Sequence, residues 1–162
     1  AYVTVGTGVG GALLVDGAPL RGRMHPEIGH LPLAAADDGW PGVCPFHKTC
    51  LEGHASGPAI AARWGAPASL AEDHPAWARE ARLLAEAAVA LTAAWSPDRL
   101  LLGGGVMQRP GLLARVRRAF VELAGDYWPL PAVEDYLQTP ALGQRAGIVG
   151  ALTLAQRLRR RG

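Results

Sequence analysis

Four side chains suited to a soft or borderline cation, His30, Cys44, His47 and Cys50, lie close together in the chain, and both of its cysteines are among them. Two thiolates and two imidazoles match tetrahedral zinc. The two-residue gaps in Cys44-x2-His47 and His47-x2-Cys50 let successive ligands converge from one tight knuckle. With all four positions supplied by protein, such a site is closed and structural, without a vacant position for a catalytic water. Glu27 and Glu52 bracket the ligands, three residues before the first and two after the last. A metal pinning the segment would hold both carboxylates beside it, a platform suited to a hydroxyl-rich ligand. Two other readings stay open. Cys44 and Cys50 are spaced to permit a disulfide, which leaves the histidines unexplained. They could also be buried thiols beside unrelated surface histidines. His25 and His54 are lesser candidates as ligands, and His74, in E-D-H-P, reads as a solvated loop residue.

Two glycine-rich segments are the second chemical feature. G-T-G-V-G-G at 6–11 sits between two β-forming stretches, so it is not the strand-to-helix fingerprint of a dinucleotide domain. The amides of Gly6, Gly8 and Gly10, with the Thr7 hydroxyl, could form an anion-binding nest. A plain glycine-rich hairpin is the alternative. G-G-G-V-M at 103–107 follows a short apolar strand and precedes a helix, where ligands bind in open α/β sheets. Gly104 and Gly105 would let a flat ring approach the backbone, although a simple turn explains them too. Together the two segments point to a nucleotide, one for phosphates and one for a base.

The elements that must position these groups can be read from pattern. Tyr2–Val5 is a strand, Ala12–Val15 a second, and Ala18–Arg23 a third, joined at Asp16-Gly17 by a hairpin turn. The three form an antiparallel meander. A helix starts at Ser56-Gly57-Pro58 and stops at Gly65. Another runs from Pro75 to Trp95 with Trp77, Leu84, Ala88, Leu91 and Trp95 on one stripe, ended by Ser96-Pro97. A buried strand at Arg99–Leu102 follows, then a helix at Pro110–Ala124 with Leu113, Val116, Phe120 and Leu123 inward. A weaker strand is expected at Ala132–Leu137, and a final helix from about Arg145 to Arg160 should turn Ile148, Leu152, Ala155 and Leu158 to the core. The order β-β-β-α-α-β-α-β-α makes an α/β domain whose last two strands are parallel.

Bulk properties bound the function. The 162 residues suit one domain, and 49% hydrophobic with 19% charged content describes a globular chain. A formal charge of +2 gives no long-range attraction to nucleic acid or membrane. The arginines of R-L-R-R-R at 157–161 fit a solvated helix end. Two cysteines argue against a secreted disulfide scaffold, and no long apolar run or signal-peptide pattern is present, so the default location is cytoplasmic. Tyr2 opens a strand with no lead-in, which suggests one lobe of a larger molecule.

The segments V-G-T-G-V-G-G-A-L, H-P-E-I-G-H, C-P-F-H-K-T-C-L-E-G-H-A-S-G-P-A-I, L-L-G-G-G-V and A-G-I-V-G-A-L occur in this order along essentially the whole chain. They resemble the C-terminal half of a bacterial ROK-family sugar kinase, and the C-P-x-H-x-x-C knuckle resembles the fructokinase branch. The resemblance implies an actin/hexokinase-like (ribonuclease H-like) ATPase fold of two lobes with the active site between them. Residues 1–162 would be the C-terminal lobe and residues 24–53 its zinc- and sugar-binding loop. It implies that Thr7 and its neighbouring glycines meet the phosphates of Mg2+-bound ATP, that Gly104 and Gly105 lie near the adenosine, and that Glu27, His30 and Glu52 bind the sugar, with His30 also a zinc ligand. The general base and first phosphate loop belong to the other lobe; Asp16, Asp37 and Asp38 do not match that position. The implied whole protein is a homodimeric ATP-dependent hexose kinase acting on fructose. A glucokinase-like member or a sugar-sensing ROK repressor with an upstream helix-turn-helix is the alternative.

Overall fold

The computed structural model describes residues 1–159. Tyr2–Val5 (β1) and Val9–Ala12 (β2) pair antiparallel across the turn Gly6-Thr7-Gly8, with Tyr2 opposite Ala12 and Val5 opposite Val9. The second strand therefore begins inside the glycine run and not at Ala12. Pairing with β1 overrides the poor strand propensity of Gly10 and Gly11. Leu14–Val15 (β3) and Ala18–Pro19 (β4) form a separate, exposed two-stranded ribbon, not the rest of a three-stranded meander. Asp16 and Gly17 carry φ of +51° and +73°, as a tight hairpin turn with two left-handed central residues requires. The expected third strand stops at Pro19 instead of Arg23.

Leu51–Ala55 (α1) is a short helix that pattern reading missed. Gly57–Trp64 (α2) follows with Ser56 Oγ accepting the Ala59 N–H at 3.3 Å, Pro58 in its first turn, and Gly65 at φ +94° ending it. Pro75–Trp95 (α3) is the longest helix. Its stripe is as expected: Trp77, Leu84, Ala88 and Leu91 are buried and Trp95 is half-buried. His74 is not a free loop residue. Its Nδ1 accepts the Ala76 N–H at 3.1 Å as the α3 N-cap, and its ring meets Trp64 edge-on at 5.4 Å.

Leu100–Gly103 (β5) lies parallel to β1, with Val3 opposite Leu102 and Thr4 opposite Gly103. Leu112–Ala124 (α4) packs along α3 through Leu112, Val116 and Phe120. The Ala132–Leu137 segment is mostly helical: Val133–Tyr136 (α5) makes one turn before Leu137–Gln138 (β6) joins β5 in parallel. Hydrogen bonds to two side chains distant in sequence, Thr92 and Arg117, impose that turn. Tyr136 Oη lies 2.8 Å from Thr92 Oγ1, and Arg117 donates to the carbonyls of Glu134 at 3.1 Å and Leu137 at 2.7 Å. The resulting mixed sheet has the order β2-β1-β5-β6.

Ala146–Arg159 (α6) forms as expected but does not turn its apolar stripe into the core. Ile148, Leu152 and Ala155 are exposed, because no described element covers them; the Leu158 side chain, Arg160 and the rest of the terminal arginine run lie outside the described residues. No described helix is long and apolar enough to cross a membrane.

Candidate metal centre and ligand loops

Backbone ties from distant positions assemble the metal-type cluster. The Leu33 N–H donates to the Thr49 carbonyl and the Leu51 N–H to the Leu31 carbonyl, both at 2.9 Å, fixing the limb after His30 against Cys50. The Val43 N–H donates to the Gly53 carbonyl at 2.9 Å, bringing Cys44 over α1. His30 ends a short 3-10 turn, Ile28–His30, and Cys50 is the N-cap of α1, its Sγ accepting the Gly53 N–H at 3.4 Å.

The ligand atoms of His30, Cys44, His47 and Cys50 all lie within 4.8 Å of one another. Cys44 Sγ is 3.9 Å from His30 Nδ1 and 3.7 Å from His47 Nδ1. Sulfur and nitrogen ligands on one tetrahedral zinc should be about 3.6 Å apart, so the donor set fits that ion. The cysteines are free thiols, so the disulfide alternative is not what the fold adopts. Burial pushes the Cys44 thiol up, but the N–H groups of Phe46 and His47 outweigh it and leave the thiol below its ordinary value. Burial raises Cys50, which is fully enclosed, so a cation must displace its proton on binding.

Supporting residues that the sequence did not reveal brace the knuckle. His54 is buried, with Nε2 2.7 Å from the Lys48 carbonyl and Nδ1 2.9 Å from Arg79 Nη2. Arginine can only donate, so Nδ1 accepts and the proton sits on Nε2, bonded to Lys48. Arg79 also donates to the Ala35 carbonyl at 2.8 Å and pairs with Asp38 at 3.0 Å, clamping both limbs of the loop to α3. Both ring nitrogens are thus committed, which removes His54 as a metal ligand; burial, then the neighbouring arginine charges against it, hold its pKa below the ordinary value. His25 Nε2 is instead 2.7 Å from Glu27 Oε1 on an exposed part of the loop. His54 follows a candidate ligand by four residues, a faint signal; nothing in the sequence marks Arg79.

The two glycine loops meet. β1 and β5 are adjacent and parallel, so Gly6-Thr7-Gly8 and Gly104-Gly105 leave the sheet at the same end. A side chain on Gly6 would start 3.9 Å from the Gly105 nitrogen. Gly104, at φ +93°, is required for a reason internal to the fold: a Cβ there would strike the Val5 backbone. Gly105 has open space where a side chain would begin, and Thr7 is exposed. Gly10 lies within β2 opposite Thr4, outside the turn.

The Glu52 carboxylate connects the two regions. Glu52 Oε2 accepts the Val9 N–H at 2.9 Å, and Gly29 packs directly on the Val9 backbone, so the turn between Glu27 and His30 shares this corner. A groove of about 540 Å³ lined by Arg117, Arg118 and Glu134 lies on α4 and α5, away from these residues, and has no share in the cluster.

A profile described as "ROK family" matches residues 1–158. The chain is 47% identical over 161 residues to a fructokinase of Zymomonas mobilis, across 95% of this chain and 53% of that protein. The fold superposes on the ROK hexokinase from Thermus thermophilus with a TM-score of 0.77 at 26% identity, covering 99% of this chain and 58% of that one. It is likewise similar to a ROK family glucokinase from Streptomyces griseus, solved with glucose and AMPPNP, with a TM-score of 0.73 at 26% identity over 96% and 60% of the two chains. The chain spans about half the length of the curated relatives it matches. Over that span the family profile, the sequence identity and the superposition agree, and the chain belongs to the ROK family.

Proposed function

We propose that the complete protein is an ATP-dependent hexose kinase that converts fructose to fructose 6-phosphate, and that residues 1–162 are its C-terminal lobe. The observation that carries this reading is the convergence of the Gly6–Gly8 and Gly104–Gly105 turns at one end of adjacent parallel strands, with Glu52 bonded beside the first. In open α/β sheets that end holds ligands. Thr7 and the Gly8 amide would meet the ATP phosphates, the Gly6 N–H being spent inside the turn on the Gly8 carbonyl at 2.9 Å. Gly104 and Gly105 would meet the adenosine, with Gly10 supporting the turn from β2. Glu27, His30 and Glu52 would accept hydrogen bonds from or donate to the sugar hydroxyls. His30, Cys44, His47 and Cys50 would hold a structural zinc that fixes the sugar-binding loop.

Phosphoryl transfer depends on positioning and on stabilising charge on the transferred group. Magnesium bound to ATP would neutralise phosphate charge, and this chain's part is to orient both substrates. The general base would come from the other lobe. The relatives support a sugar kinase; fructose is favoured by the fructokinase similarity and glucose is the competitor. The test is ADP release by the complete protein over fructose, glucose, mannose and N-acetylated hexoses. Fructose should give the highest kcat/KM, and no turnover of any hexose would end the kinase reading.

A further inference from the structure

The sequence separates a sugar loop from a phosphate turn, yet one side chain spans them. Glu52 Oε2 accepts the Val9 N–H at 2.9 Å, at the end of the Gly6–Gly8 turn. A Cβ on Gly8 would lie 2.7 Å from that same oxygen. The other end of the turn is also tied to the segment that follows the knuckle, since the Gly57 N–H donates to the Gly6 carbonyl at 2.7 Å. Both ends of the turn therefore hang on residues 52–57, and α1, which carries Glu52, is capped by Cys50.

We propose that Glu52 couples the hexose site to the nucleotide site. The proposal rests on the assignment of Glu52 to the sugar and of the Gly6–Gly8 turn to phosphate. A carboxylate has two oxygens, and Oε2 is committed to Val9, which leaves Oε1 for a sugar hydroxyl. A hexose bonded to Oε1 restricts rotation of the carboxylate and so fixes Oε2 on the Val9 N–H. The turn then presents its amides in one geometry, and less order is lost when the phosphates bind. Coupling of this kind is reciprocal: the nucleotide must tighten the hexose by the same factor.

Binding measurements on the complete protein decide it, using fructose and AMPPNP in calorimetry, with zinc content and thermal unfolding as controls for folding. In the wild type, fructose should tighten AMPPNP by about five-fold or more. Gly8→Ala should weaken fructose several-fold with no nucleotide present, because its Cβ displaces the Glu52 carboxylate. Glu52→Gln keeps an acceptor oxygen for Val9, so it should lose fructose affinity while binding AMPPNP alone as the wild type does. Glu52→Ala removes the acceptor and should weaken AMPPNP alone by about ten-fold. Equal AMPPNP affinity in wild type, Gln and Ala variants overturns the coupling, and does so even if Gly8→Ala fails to fold. Unchanged fructose affinity in a folded Gly8→Ala protein overturns it as well. Unchanged fructose affinity in Glu52→Gln overturns instead the assignment of Glu52 to the sugar, and the coupling falls with it.

Discussion

Two separate sets of residues serve the loop of residues 24–53, a metal-type cluster that would hold the proposed zinc and a hydrogen-bonded brace. The fully buried Cys50 is both a metal-type ligand and the cap of α1, so its loss should disturb more than the ion. Cys50→Ser should reduce bound zinc below one equivalent and lower stability by several kcal/mol and, under the proposed kinase reading, raise the sugar KM of the complete protein. Elemental analysis and thermal unfolding check the first two. Wild-type protein without zinc, with an indistinguishable Ser variant, would remove the metal from the account. The brace has a sharper signature. His54 must donate through one ring nitrogen and accept through the other, and a glutamine amide offers the same pair. His54→Leu should speed zinc release to a chelator by about ten-fold, the scale of lost outer-shell support, while His54→Gln should restore most of the retention. Equal release from the Leu and Gln variants would show that only the bulk of the ring matters.

Among the elements, α3 carries a cost of its own. Glu80 is buried among the core residues of the helix, and its Oε1 has no hydrogen-bond partner among the described residues. Burial raises its pKa well above the ordinary value, only partly opposed by Arg79. The folded state thus keeps the proton while the unfolded chain releases it. Stability from this group is intact below the unfolded pKa and declines as pH rises toward the folded one, by up to about 1.4 kcal/mol per pH unit. Glu80→Gln has no proton to lose. It should match the wild type near pH 4 and become progressively more stable than it toward pH 8, as read by thermal unfolding across that range. Parallel pH profiles for the two proteins would mean that Glu80 is ionised in the fold.

For the whole molecule, the exposed stripe of α6 and the apolar β3–β4 ribbon are the informative surfaces. Ile148, Leu152 and Leu154 are each more than half exposed, as is Leu14. Arg157 donates to the Gly17 carbonyl at 3.2 Å, so the helix and ribbon meet. Apolar groups at such spacing fit a covered face. Under the proposed two-lobed kinase, the 162-residue chain alone lacks the general base and half of the phosphate cradle. Losing a base costs roughly 10²–10⁴-fold by itself. The isolated chain should therefore show no hexose phosphorylation above background and should self-associate through these surfaces. Sedimentation velocity should show concentration-dependent association that Ile148→Glu with Leu152→Glu abolishes. Measurable fructose phosphorylation by the isolated chain would overturn the two-lobe account.

Much of the candidate site was legible because its signals are local. The metal-type ligands fall in one knuckle plus one nearby histidine, and α2, α3 and α4 announce themselves through caps and apolar stripes that depend only on neighbours along the helix. The Asp16-Gly17 turn was fixed in the same way by its own backbone preferences. What the sequence by itself could not decide was every feature set by partners far along the chain. Strand pairing drew Gly10 and Gly11 into β2, and Thr92 with Arg117 turned an expected strand into α5. Arg79 reached His54 across 25 positions and Glu52 reached Val9 across 43. Helical periodicity marked a face on α6 that wants cover, but it carries no information about what lies opposite. Local spacing determines which atoms can share an ion or a turn; only packing determines which of them meet.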